Sequence, residues 1–159
     1  MHNLKTALIT GASEGIGRCF AEIYAQNGHN LILVARSKET LELFAAELST
    51  KYAVDVKVFP YDLIPVDAAK NLFEDLLTQN IAVDILVNNA GMMLVEKLHQ
   101  SNNQSLNNLL QLNVQSLVNM THHFISPMIA RGKGKIVNIG SIASFMPTPN
   151  FSAYGASKA

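Results

Sequence analysis

The sequence predicts an α/β fold, a doubly wound parallel sheet with helices on both faces. Two observations predict it. Short β-rich runs alternate with stretches of helical spacing along the chain, the pattern of repeated strand–helix units. Three of the five β-rich runs are nearly all apolar, as strands covered on both faces must be. Right-handed crossovers between such strands wind helices onto both sides of the sheet.

Thr6–Thr10 (TALIT) reads as the first strand. Ile16, Phe20, Ile23 and Tyr24 follow at helical spacing, and the helix they predict stops near Gly28. Residues 31–35 (LILVA) form the second strand, and Leu41, Phe44, Ala45 and Leu48 predict the second helix. Residues 54–59 (VDVKVF) form the third strand. Val66, Ala69, Leu72, Phe73, Leu76 and Leu77 mark the third helix. Residues 84–87 (DILV) form the fourth strand, ahead of a long fourth helix with Leu106, Leu109, Leu110, Val114, Leu117 and Val118 on one face. Residues 135–139 (KIVNI) form the fifth strand, and a fifth helix begins over Ser152–Lys158. Each helical set follows the i, i+3, i+4, i+7 spacing of one packed face.

Composition narrows the function. The 159 residues suit one domain, and 48% apolar with 15% charged residues gives a core and excludes a disordered chain. Twelve basic and twelve acidic residues cancel, which argues against nucleic acid or an anionic membrane surface as partner. The single cysteine, Cys19, excludes an internal disulfide and a cysteine-built metal site. A reducing, cytoplasmic setting is expected from it. No apolar run approaches the ~18 residues of a membrane span. The opening MHNLKTALIT lacks a signal-peptide pattern.

In doubly wound sheets, ligands sit beyond the carboxyl ends of the strands. After the first strand comes TGASEGIG, residues 10–17, with Gly11, Gly15 and Gly17 in G-x-x-x-G-x-G spacing. Such a turn lets the backbone approach an anion. The following helix end offers free N–H groups and a positive dipole to a pyrophosphate. Gly11, Ser13, Gly15, Ile16 and Gly17 are therefore expected at a dinucleotide phosphate. The second strand ends in Arg36-Ser37-Lys38, with no acidic residue before Glu39. A guanidinium suits a 2′-phosphate through paired hydrogen bonds, so NADP(H) is preferred, with NAD(H) possible. Asp62 and Leu63 follow the third strand; the carboxylate suits an adenine amino group or, equally, a turn cap. Asn88-Asn89-Ala90-Gly91 follows the fourth strand and suits either a cofactor's flank or an Asn-rich turn.

After the fifth strand come Ser141 and then Tyr154 and Lys158, which are i, i+4 neighbours on a helix. A free tyrosine has a pKa of about 10, and a nearby ammonium favours the phenolate. A tyrosine so placed is suited to acid–base work. A serine hydroxyl at the neighbouring strand end suits a carbonyl or alcohol oxygen.

Together these motifs resemble the short-chain dehydrogenase/reductase family. The matching residues are TGASEGIG at 10–17, NNAG at 88–91, Asn113 in LLQLNVQS, Ser141 in IGSIAS and YGASK at 154–158, in the family's order. The resemblance implies a Rossmann-type sheet and an oxidoreductase that moves a hydride between NADP(H) and a carbonyl or secondary alcohol. It implies Tyr154 as general acid or base, and Lys158 as tuner of the tyrosine and holder of the nicotinamide ribose. It implies that Ser141 orients the substrate oxygen and that Asn113 helps hold a water in a proton relay. It favours Asp62 at the adenine and Asn89, Ala90 and Gly91 along the cofactor. Glu14 stands where many NADP-preferring members carry a basic residue, leaving Arg36 to support that preference. Family members are often homo-oligomers that pair through the fourth and fifth helices.

Against the family, the chain reads as residues 1–159 of an NAD(P)-binding domain, incomplete at the C-terminus. It stops one residue after Lys158, before the later strands and substrate lid, which leaves the fifth strand with an unpaired edge. Two rival readings are an inactive nucleotide-binding fragment and a sugar-nucleotide epimerase or dehydratase. Substrate identity is not legible. Among the remaining residues, Cys19 is expected to be buried and inert. The adjacent His122 and His123 point to different sides of a helix, and His2, His29 and His99 lack partners at ligand spacing. Met92 and Met93 read either as lining of a substrate pocket or, more commonly for Met, as gap fillers, and the loop 145–151 is expected near the proposed site.

Overall fold

A computed structural model describes residues 4–159, so His2 lies outside the described residues. Five parallel strands form one sheet in the order β3-β2-β1-β4-β5. They are β1 (Thr6–Thr10), β2 (Asn30–Ala35), β3 (Val56–Pro60), β4 (Ile85–Asn88) and β5 (Lys135–Asn138). Strands β1 to β3 are linked by α1 (Gly15–Gln26) and α2 (Lys38–Tyr52), and α3 (Ala68–Thr78) leads to β4. Between β4 and β5 run α4 (Asn103–Leu110) and α5 (Leu117–Ala130), and α6 (Ser152–Lys158) follows β5.

Alternation of side chains along each strand feeds two cores. Ala7, Ile9, Leu31, Leu33, Ile85 and Val87 pack on one face with Leu41, Phe44 and Leu48 of α2. Leu8, Ile32, Val34 and Leu86 pack on the other with Leu72, Leu76, Met120 and Phe124. The apolar strands are thus covered on both sides, as their composition requires. Strand order reverses at β1, between β2 and β4. That reversal opens the crevice where doubly wound folds hold ligands. Strand β5 pairs only with β4 among the described residues, so its outer edge is open.

Several helix faces differ from those the apolar spacing predicts. Helix α1 buries Gly17, Ala21 and Ala25, while Ile16 and Ile23 are 58% and 54% exposed. The reason is proximity: α1 lies so close to the sheet that only small residues fit beneath it. Helix α3 buries Ala68, Ala69, Leu72 and Leu76 but leaves Val66 and Leu77 outside. The fourth helix is not one α-helix. A π-helical turn, Gln111–Ser116, joins α4 to α5 and changes the phase of the residues around it. Leu109, Asn113, Ser116, Met120 and Phe124 face inward, and Leu110, Val114, Val118, Ile125 and Ile129 face solvent. Cys19 is exposed, because it lies on the outer side of α1 rather than on its small-residue face. Among the described residues, no helix is long and apolar enough to cross a membrane.

Candidate active site

The glycine-rich turn joins β1 to α1. Gly11 and Gly15 have φ of +65° and +54°, a region costly for side chains with a β-carbon. Nothing lies within 4 Å of the position a β-carbon would take on Gly15, so the space above the turn is open. The residue capping α1, Glu14, makes no side-chain cap hydrogen bond. The first-turn N–H groups of α1 are therefore suited to hold an anion. Ala12 is tied to β2, its N–H donating to the Val34 carbonyl at 3.2 Å. Ser13 and Ile16 stand beside this opening, Ile16 largely exposed.

A second loop closes against this turn. Thr10 Oγ1 accepts the N–H groups of Asn89 and Ala90, both at 2.9 Å, and donates to the Val87 carbonyl at 3.2 Å. Asn89 Nδ2 donates to the carbonyls of Thr10 and Gly11 at 2.9 and 3.2 Å. The Asn89 side chain thus stitches the strand ends together, and its loop flanks the crevice. Asn88, by contrast, points into α5 and β5, donating to Thr121 Oγ1 at 3.1 Å and Asn138 Oδ1 at 2.9 Å.

Arg36 and Asp62 are exposed at the ends of β2 and β3. Asp62 Oδ1 accepts the Ile64 N–H at 3.0 Å, the turn-forming bond open to any Asp in this position. Leu63 sends its side chain into the core with Val34 and Phe59, leaving only its backbone for the crevice.

Asn113, Lys158 and Gly91 meet on the other side of β4. Asn113 is 3% exposed. Its Oδ1 accepts the Met92 N–H at 2.8 Å, and its Nδ2 donates to the Met92 carbonyl and to Ser157 Oγ, both at 2.9 Å. Lys158 Nζ donates to the Ile139 carbonyl at 3.0 Å. A β-carbon on Gly91 would lie 3.2 Å from Asn113 Oδ1 and 3.3 Å from Lys158 Nζ. Burial lowers the Lys158 pKa from its ordinary value, because an ammonium loses water there.

Tyr154 is half-buried on α6, its ring edge-on to Phe151 at 6.0 Å. Among the described residues no hydrogen bond joins its hydroxyl to Lys158; the two share a helix face. Ser141 Oγ accepts the Ala143 N–H at 3.2 Å, at the turn Ile142–Ser144 on which α6 rests. A β-carbon on Gly155 would lie 3.0 Å from the Ala143 carbonyl oxygen, so glycine at that position lets α6 approach. Ser144 Oγ donates to the Lys158 carbonyl. A cavity of about 610 Å³ opens beside α6, lined by Phe145, Met146, Pro147, Phe151 and Gly155 among others. Phe145 is 89% exposed, giving this rim an apolar surface.

Eight of the sequence-derived residues gather in two groups. Gly11, Gly15, Gly17, Asn89 and Ala90 meet at the β1–β4 crevice, and Gly91, Asn113 and Lys158 meet beyond it. Arg36 and Asp62 stand apart at the ends of β2 and β3. Thr10, Ser144 and Ser157 also organise the site through side-chain bonds. The position of Thr10 at a strand end, level with the Asn-rich loop, is the signal that points to it. Ser157 carries none, because its partner is 44 positions away.

The chain matches the short chain dehydrogenase family over residues 5–159. It is 38% identical over 98% of its length to a fatty acyl-CoA reductase of Acinetobacter baylyi, covering 53% of that protein. It is 35% identical over 96% of its length to human 17-beta-hydroxysteroid dehydrogenase type 3, covering 49% of it. Among solved structures, a short-chain dehydrogenase from Sphingobium yanoikuyae in complex with NADPH superposes with a TM-score of 0.91 at 37% identity, over 98% of this chain and 60% of that one. The chain thus spans about half the length of the curated relatives it matches. The parallel sheet, the glycine-rich turn and these similarities lead to one conclusion: the chain belongs to the short-chain dehydrogenase family.

Proposed function

We propose that residues 1–159 form an NAD(P)-binding domain of an NADP(H)-dependent oxidoreductase that interconverts a carbonyl and a secondary alcohol. The observation that carries this reading is that Lys158 Nζ, on the helix that bears Tyr154, meets Asn113 and Gly91. The open space over Gly15 and the uncapped start of α1 fit a pyrophosphate. Arg36, free of acidic neighbours on its strand end, supports NADP(H) over NAD(H). The NADPH found in the Sphingobium relative supports the same choice.

The nicotinamide supplies or accepts the hydride when bound. Everything else falls to the chain. Asn89, Ala90 and Gly91 flank the cofactor. Leu63 and Asp62 meet the adenine side. Lys158 holds a ribose and keeps a positive charge on the face shared with Tyr154. Tyr154 gives its proton to the carbonyl oxygen in reduction and takes one from the alcohol in oxidation. Ser141 orients that oxygen, and Asn113 supports the proton path. The apolar rim of Phe145 and Met146 favours an apolar carbonyl. The exposed stripe on α4 and α5 supports pairing of two copies, and the lone cysteine a reducing, cytoplasmic setting.

Fluorescence titration with NADPH and NADH, followed by loss of reduced-nicotinamide absorbance with a panel of ketones, tests the proposal. Tighter NADPH binding and carbonyl-dependent oxidation are expected. Binding without turnover on any carbonyl leaves only the nucleotide-binding reading, and release of sugar-nucleotide products replaces the reaction class.

A further inference from the structure

Helix α6 carries the reacting side chain, yet it has little of its own to hold it in place. It has seven residues and no side-chain cap hydrogen bond at its start. Isolated helices shorter than roughly 12 residues are marginal in water. Its position must come from tertiary contacts. Gly155 rests on the Ala143 carbonyl, and Ser144 reaches the Lys158 carbonyl. Both contacts hold α6 to the β5 side of the site. One side-chain bond ties it to the β4 side: Asn113 Nδ2 to Ser157 Oγ at 2.9 Å.

Ser157 is 7% exposed and its hydroxyl is fully engaged. It accepts from Asn113 and donates to the Tyr154 carbonyl at 2.8 Å. Asn113 uses both amide hydrogens, one on Ser157 and one on the Met92 carbonyl, while its Oδ1 takes the Met92 N–H. The chain of bonds therefore runs from Met92, through Asn113 and Ser157, to the backbone of Tyr154. The loop after β4 and the backbone of Tyr154 are held by one continuous ladder.

We propose that Ser157 is a positioning residue that sets where Tyr154 stands relative to the Gly91–Met92 loop. The assignment rests on the oxidoreductase reading above. Ser157 is buried among protein atoms and acts through the Tyr154 backbone. Reacting groups must sit within a few tenths of an ångström, and a displacement of about 1 Å costs on the order of 100-fold in rate.

Three variants test it: Ser157→Ala, Ser157→Cys, which is isosteric but a weak hydrogen-bond donor, and Ser157→Thr, which keeps the hydroxyl. NADPH affinity is read by fluorescence titration and kcat by carbonyl-dependent NADPH oxidation, with thermal unfolding alongside. The Ala and Cys variants are expected to lose about tenfold or more in kcat while NADPH affinity stays at the parent's level. Thr is expected to regain most of the lost kcat. A kcat in Ser157→Ala equal to the parent's overturns the assignment. So does a loss that only tracks the fraction of chains still titrating with NADPH, which is what general unfolding gives. No NADPH oxidation by the parent on any carbonyl overturns the oxidoreductase reading, and this assignment with it. The parent's own turnover therefore tells the two failures apart.

Discussion

Gly17 stands so close to Gly11 that a β-carbon on Gly17 would lie 2.1 Å from the Gly11 carbonyl oxygen. The start of α1 is thereby pressed onto the turn that β1 feeds. Gly17→Ala must push α1 outward. Overpacking a tight contact costs about 1–3 kcal/mol. Urea unfolding is expected to show a loss at the upper end of that range, with NADPH binding abolished because the turn proposed to hold the phosphates opens.

Thr10 holds the other wall. Thr10→Val keeps the shape and leaves the Asn89 and Ala90 N–H groups without an acceptor. An unpaired buried donor costs about 1–3 kcal/mol. Thr10→Val is expected to lower stability by about that much in chemical unfolding, while Thr10→Ser stays near the parent. Equal midpoints for Val and Ser would show that the hydroxyl carries no weight.

Tyr154→Phe removes the hydroxyl proposed as proton donor and leaves the ring. General acid catalysis is worth roughly 100- to 10,000-fold. Turnover is expected to fall by at least the lower figure, with NADPH affinity largely unchanged. Steady-state kinetics beside a binding titration separates the two effects.

Arg36 is exposed at the end of β2. Arg36→Glu replaces the proposed 2′-phosphate partner with a like charge. Hydrogen bonds to charged groups contribute about 1.5–3 kcal/mol, so NADPH affinity is expected to drop roughly 10- to 100-fold. NADH affinity should hold or improve. A parallel drop for both dinucleotides would place Arg36 outside the 2′-phosphate site.

Lys158 gives a pH test. Burial lowers its pKa in the folded chain below the ordinary 10.5. In the window between the two values the unfolded chain binds more protons, so stability from this group rises with pH. The burial penalty is fully present below the folded pKa and is relieved as pH climbs toward 10.5. Unfolding measured at stepped alkaline pH should therefore show the parent gaining stability relative to Lys158→Met as pH rises. A gap independent of pH sinks this account.

Strands β1, β2 and β4 were legible because both of their faces are apolar, so Leu8 and Ile9 announce a covered strand whichever way each points. The inner face of α1 was not legible. Its packing surface is Gly17, Ala21 and Ala25, residues that carry almost no hydrophobic signal, whereas Ile16 and Ile23 carry a strong one and face solvent. Apolar periodicity reports bulk, and close approach of helix to sheet selects against bulk. The exposure of Cys19 has the same origin. Asn113 reads as a poor helix former, and only the family resemblance marked it. Its role rests on Met92 and Ser157, 21 and 44 positions away, and no local pattern encodes such partners.

The π turn at Gln111–Ser116 has a consequence for how this chain can change. Each residue of an α-helix advances it by about 100°, so the turn acts as a fixed angular offset between α4 and α5. Asn113 faces Met92 and Ser157, and Val114 faces solvent, only while that offset is kept. Inserting one residue into the regular helix between Leu117 and Met120 would rotate everything on one side against the other. The amide would leave the site in the same step that drove the outer apolar stripe inward. The inner face and the outer face of this helix are geared together: substitutions can alter either one alone, but a change of length alters both at once.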